Sequence, residues 1–114
     1  MFEAKALHKN IRSSPRKMRL VIDMIRGKNA VQALGILRFT SNHAARDAEQ
    51  TLRSAMSNLM HGDDEGRIDP DNVIVKAVFV NQGPTIKRIR PADRGRAFKI
   101  RKRSNHLTIV VATK

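Results

Sequence analysis

Residues 86–103, IKRIRPADRGRAFKIRKR, cannot be folded into a hydrophobic core: nine of the eighteen are Lys or Arg and one is acidic. Runs of like charge this dense usually sit on chain ends, where they spread into water. This one lies between VIVKAVFV (73–80) and LTIVV (107–111), whose β-branched and apolar residues suit half-buried or central strands. Whatever the chain folds into must therefore hold two strands in a sheet and exclude everything between them. The net charge is +13, and the run supplies eight of it, leaving five on the other 96 residues. Charge focused in this way favours a polyanionic partner over a uniformly basic surface.

The full insert, Gly83 to Ser104, has 22 residues, whereas structureless loops beyond roughly 12–15 residues are uncommon in compact domains. Its turn formers Pro91, Asp93 and Gly95 cluster near the middle. That symmetry predicts an extended hairpin arm with limbs of about eleven residues, reaching ~35 Å beyond the sheet at roughly 3.3 Å per residue. The returning limb alternates Phe98 and Ile100 with Lys99 and Arg101. The outgoing limb alternates poorly, with Ile86 and Ile89 three apart. Such an arm buries too little apolar surface to hold itself, and its charges repel. Nucleic acid around it would supply counter-charge and walls, and Arg forks bind phosphate bidentately. The plain alternative is a solvated loop, but nine cations in eighteen residues exceed what solubility needs.

The rest of the chain reads as one α+β domain, residues 1–114, with residues 83–104 as the arm. Phe2, Ala4 and Ala6 alternate on one face of a strand over 2–11. Ser14 is a good N-cap and Pro15 suits the first helical position. Met18, Val21, Ile22 and Ile25 then follow at helical spacing, with Gly27 at the C′ position. Asn29 caps a second helix with Gln32 as a capping-box partner, burying Ala30, Ala33, Leu34 and Leu37. Gly35 weakens that helix. A longer helix over about 43–60 carries Ala44, Ala48, Leu52, Ala55, Met56 and Leu59 and ends at Gly62. Helices segregated in sequence from most strands predict a small antiparallel sheet. Met18, Met24, Met56 and Met60 fall at helical spacing and are expected in the core.

Several function classes find no residues. Cysteine is absent, which removes disulfides, thiolate metal sites and thiol nucleophiles. His8, His43, His61 and His106 have no metal-ligand spacing. Asp63, Asp64, Glu65, Asp69 and Asp71 do not follow the EF-hand pattern and read as a solvated turn. RGKN lacks the Walker glycines. With no nucleophile–base set and no paired carboxylates in apolar surroundings, neither an enzyme, a cofactor nor a small-molecule substrate is expected. No apolar run approaches the ~20 residues that span a bilayer, and MFEAKALHKN lacks a signal-peptide core, so the expectation is a soluble cytoplasmic protein without membrane contact. Only four residues are aromatic, all Phe, which favours recognition of phosphate and shape over stacking on unpaired bases. A second basic group, RSSPRKMR at 12–19, places Arg12, Ser14, Arg16 and Lys17 around a helix start, a ready phosphate site.

At this level two binding readings remain, an RNA-bound structural protein and a free-standing DNA- or RNA-binding regulator; the second lacks a helix-turn-helix or other reading element. The segments SPRKMRLVIDMIRGK, AVQALGIL and GPTIKRIRPADRGRAFKIRKRSNHLTIVV separate them. In that order they resemble the bacterial large-subunit ribosomal protein twenty-two family over nearly the whole chain. The resemblance implies three helices on a three-stranded antiparallel sheet with a long protruding β-hairpin. It implies a structural role: binding large-subunit ribosomal RNA, supporting assembly, and lining the nascent-peptide exit tunnel with the hairpin, in the cytoplasmic ribosome. Neighbouring ribosomal proteins, including large-subunit protein four at the tunnel constriction, and the nascent polypeptide are the implied partners. Carried over, Lys87, Arg88, Arg90, Arg94, Arg96, Lys99, Arg101, Lys102 and Arg103 contact RNA. Ile89, Arg90, Pro91, Ala92, Asp93 and Arg94 form the tunnel-facing tip. The tip departs from the family's usual Pro-Arg-Ala-(Arg/Lys)-Gly: Ala92 replaces a cation and Asp93 adds an anion.

Overall fold

The strand that opens the chain, β1 (Glu3–Ile11), alternates as expected, with Ala6 buried and Ala4 half-buried against the core. The computed structural model describes residues 3–62, 66, 68–91, 95 and 97–113. Phe2, Asp63, Asp64, Glu65, Ala92, Asp93, Arg94 and Arg96 lie outside the described residues. A register shift between His8 and Ile11 turns Ile11 into the core. Asn10 takes φ 59° there, a left-handed conformation that Asn tolerates better than most residues. Its amide donates to Nδ1 of His106 at 3.0 Å.

Helix α1 (Pro15–Ile22) starts where its cap chemistry dictates. The Ser14 hydroxyl accepts from the Lys17 amide, and Pro15 occupies the first turn. Met18, Val21, Ile22 and Ile25 are fully buried. The helix ends earlier than Gly27, however, and residues 23–27 continue as turns. The reason is tertiary. Gly27 donates to the Val75 carbonyl at 3.1 Å and Val75 to the Lys28 carbonyl at 2.9 Å, so this segment must unwind to reach a strand. Gly27, at φ 77°, is a turn residue rather than the C′ of α1. The unwinding also turns Met24 outward, so Met24 is exposed and not in the core; Met18 is fully buried, and Met56 and Met60 pack partly buried against the core.

Helix α2 (Ala30–Phe39) is capped by Asn29, whose side chain accepts from the Val31 and Gln32 amides and donates to the Asp71 carbonyl. Helix α3 (Ala44–His61) runs to Gly62. Its buried face is mostly alanine (Ala44, Ala45, Ala48, Ala55) with Leu52 and Leu59, which lets it lie close on the sheet.

A 3-10 turn (Pro70–Asn72) leads into β2 (Val73–Gln82), and β5 (Asn105–Thr113) returns between β2 and β1, giving the antiparallel order β1-β5-β2. The helices cover one face, against Val73, Val75, Val78, Val80, Leu107, Ile109 and Val111. This is the expected α+β fold of three helices on a three-stranded antiparallel sheet. Both edges of that sheet are blunted by side chains. Arg26 and Arg19 donate to the Val78 and Val80 carbonyls at 3.0 and 3.4 Å, and Asn58 donates to the Lys5 carbonyl at 3.0 Å. On the other face, Lys76 pairs with Glu3 at 3.1 Å, joining the two edge strands across β5.

Between β2 and β5, β3 (Ile86–Pro91) pairs with β4 (Ala97–Lys102) in a separate two-stranded ladder. Its six pairs, at roughly 3.3 Å each, extend ~20 Å. Register explains how the ladder joins the body. Gln82 pairs with Asn105, but Ile86 pairs with Lys102, so the outgoing chain gains one residue at Gly83–Thr85; a similar shift lies between Val75 and Ala77. Each extra residue is a bulge that bends and twists the ribbon. The protein is accordingly elongated, 67 × 24 × 15 Å, which fits the expected arm.

Candidate nucleic-acid interface

The β3–β4 register places charge in a pattern the sequence does not display. Five of the six cross-strand pairs contain a cation: Ile86–Lys102, Lys87–Arg101, Arg88–Ile100, Ile89–Lys99 and Arg90–Phe98. None contains a carboxylate, and only Lys87–Arg101 sets cation opposite cation. Like charges directly opposite destabilise a ladder; setting most cations opposite Ile or Phe lets these twelve paired residues carry six positive charges with a single like-charged pair. The outgoing limb that alternates poorly on its own is regular once paired. Lys87, Lys102 and Arg103 are exposed. With Gln82 and Thr85, Lys87 and Arg103 line a hollow of about 240 Å³ at the base of the ladder. Gly95 has φ 72°, a turn conformation between the limbs.

The second basic group forms a distinct site on the body. Arg12, Ser13, Ser14 and Lys17 line an open cavity of about 480 Å³ with Leu20, Asn42, His43 and Ala44. The starts of α1 and α3 meet here, and the positive ends of the two helix dipoles add to the potential of Arg12 and Lys17. His43 stands at the N-cap of α3 without a side-chain cap bond. Among the described residues no carboxylate lines the cavity. Arg16 is exposed next to it. Sequence reasoning found Arg12, Ser14, Arg16 and Lys17 but missed Asn42 and His43, which lie 30 residues away in the chain; the polar TSN before α3 was the only local signal.

Not every cation is available. Arg19 and Arg26 cap β2, Arg26 also pairs with Asp23 at 2.6 Å, and Arg53 pairs with Glu49 at 2.8 Å. Two histidines have structural bonds: His106 accepts from Asn10, and His8 meets the Thr51 hydroxyl at 3.3 Å. Among the described residues no group of three or more His, Asp or Glu could hold a metal ion, and no helix is long and apolar enough to cross a membrane.

Comparison with known proteins matches residues 6–112 to the family model described as ribosomal protein L22p/L17e. The chain is similar to the large ribosomal subunit protein uL22 of Desulfitobacterium hafniense (strain DSM 10664 / DCB-2), 48% identical over 114 residues, covering 100% of this chain and 97% of that protein. The uL22 of Chlorobium phaeobacteroides (strain BS1) is 48% identical over 97% of this chain and 95% of its own. That of Staphylococcus aureus (strain JH9) is 47% identical over 96% and 92%.

Proposed function

Since the chain belongs to the ribosomal protein L22p/L17e family, and is thus a structural, non-enzymatic constituent of the large ribosomal subunit, we propose that it holds large-subunit ribosomal RNA on two basic surfaces and lines the nascent-peptide exit tunnel with its arm. The observation that carries this reading is the β3–β4 ladder, with cations in five of six cross-strand pairs and no carboxylate. A ribbon so charged is stabilised when phosphates surround it on several sides, the environment of a folded RNA interior.

The body surface at Arg12, Ser14, Arg16 and Lys17 takes phosphate at the α1 start. The arm cations Lys87, Arg88, Arg90, Lys99, Arg101, Lys102 and Arg103, with Arg94 and Arg96, run along RNA. The tip, Ile89 to Arg94, faces the nascent polypeptide and large-subunit protein four at the constriction. Two experiments test this. Sedimentation on sucrose gradients at moderate salt should keep the protein on the large subunit. The chain has no cysteine, so Ala92→Cys provides a unique attachment point for a photo-crosslinker; it should capture stalled nascent chains. Loss from the subunit at moderate salt would refute RNA anchoring, and crosslinks confined to the subunit exterior would refute the tunnel placement.

A further inference from the structure

We propose that Asn105 is a positioning residue that locks the base of the arm to the start of α1, so that both basic surfaces meet RNA at one fixed spacing. This rests on the RNA-binding reading above. Asn105 opens β5, where it pairs with Ile11 on one side and Gln82 on the other. It is fully buried, and its Nδ2 donates to both the carbonyl and the hydroxyl of Ser13, each at 2.8 Å. A carbonyl only accepts, so the amide's orientation is determined. Its Oδ1 has no hydrogen-bond partner among the described residues.

An apolar side chain of similar size would remove the unpaired Oδ1, but it would leave the Ser13 carbonyl and hydroxyl without this donor. What Asn105 contributes is direction. Ser13 lies between Arg12 and the cap Ser14, and Asn105 lies two residues from Arg103. The neighbouring joint is equally tight. Gly83 donates to the Ser104 carbonyl at 2.9 Å and the Ser104 hydroxyl to the Pro84 carbonyl at 2.7 Å. A Cβ at Gly83 would stand 2.5 Å from that hydroxyl. Here the ribbon gains its extra residue and bends, so these contacts set the angle at which the arm leaves the body. Two contact surfaces held rigidly avoid the ordering cost that a loose joint incurs on binding.

The test uses the full chain and protein-free large-subunit ribosomal RNA. Asn105→Ala is compared in the native chain and in a background with Lys87, Lys102 and Arg103 replaced by Gln. A lost lock should weaken the native chain about tenfold and the neutralised background by measurably less, because a weakened arm contact gains less from fixed spacing. Gly83→Ala enters from the opposite limb and should give the same pattern, which keeps the test open if Asn105→Ala folds poorly. Amide order parameters at Gln82, Gly83, Ser104 and Asn105 without RNA read the joint directly; they should be high in the native chain and fall in Asn105→Ala. Equal losses in both backgrounds, or order parameters unchanged by the substitution, overturn the proposal. Weak, salt-insensitive binding by the native chain would instead sink the RNA reading, while the order parameters still decide the joint.

Discussion

Salt should dissociate this protein from RNA steeply, and the slope can be worked from the structure. On the two basic surfaces, Arg12, Arg16, Lys17, Lys87, Lys102 and Arg103 are exposed. Arg19, Arg26, Arg53 and Lys76 are engaged within the protein. Each phosphate contact contributes roughly 0.7–0.9 to the slope of log affinity against log salt, so six contacts give about −4 to −5. Raising salt from about 50 to 200 mM should then weaken binding roughly 300- to 2,000-fold. Further arm cations on phosphates steepen this. Replacing Lys87, Lys102 and Arg103 together by Gln removes three of the six. The part of the slope they carry, about 2 to 3 units, should vanish. Filter binding or fluorescence anisotropy with a large-subunit RNA fragment, over a salt series, measures both slopes. A native slope near −1, or a slope unaltered by the triple neutralisation, would show that these charges are solvated and the interface is elsewhere.

Deleting the tip, Ile89 to Arg94, should leave incorporation into large subunits intact while altering stalling on particular nascent peptides; Arg96, Lys99 and Arg101 changed together to Glu should instead block incorporation, with stoichiometry in purified subunits as the measure. Leu52→Ala, at a fully buried position of α3, should cost about 2–5 kcal/mol in urea unfolding. Two glycine substitutions should have opposite signs. Gly27→Ala places a side chain at φ 77° and should destabilise by about 1–2 kcal/mol. Gly35→Ala sits inside α2 with nothing within 4 Å of the new Cβ and should stabilise by about 0.5–1 kcal/mol. Thermal melts of the two variants side by side decide it, and a shared sign would contradict the backbone assignment.

The elements legible in the sequence are those whose causes are local. Ser14 and Pro15 start α1, Asn29 starts α2, and the stripe Met18, Val21, Ile22, Ile25 marks the buried face, because capping bonds and helical periodicity act within about four residues. The density of cations over 86–103 likewise marked the segment that cannot enter the core, since net charge survives any conformation. What only the tertiary structure decided involves residues far apart in the chain. Arg19 and Arg26 look like further candidates for phosphate, yet they cap carbonyls of Val80 and Val78, 61 and 52 residues away. The same strand draws Gly27 and Lys28 out of helical geometry and leaves Met24 in solvent. Asn105 reads as a polar residue beside a charged loop until Ser13, 92 residues earlier, supplies its acceptors. The regular spacing of the arm's charge emerges only when β3 meets β4 in register. In each case the deciding bond is to a backbone or side chain whose position depends on how the sheet assembles, and no local pattern encodes that.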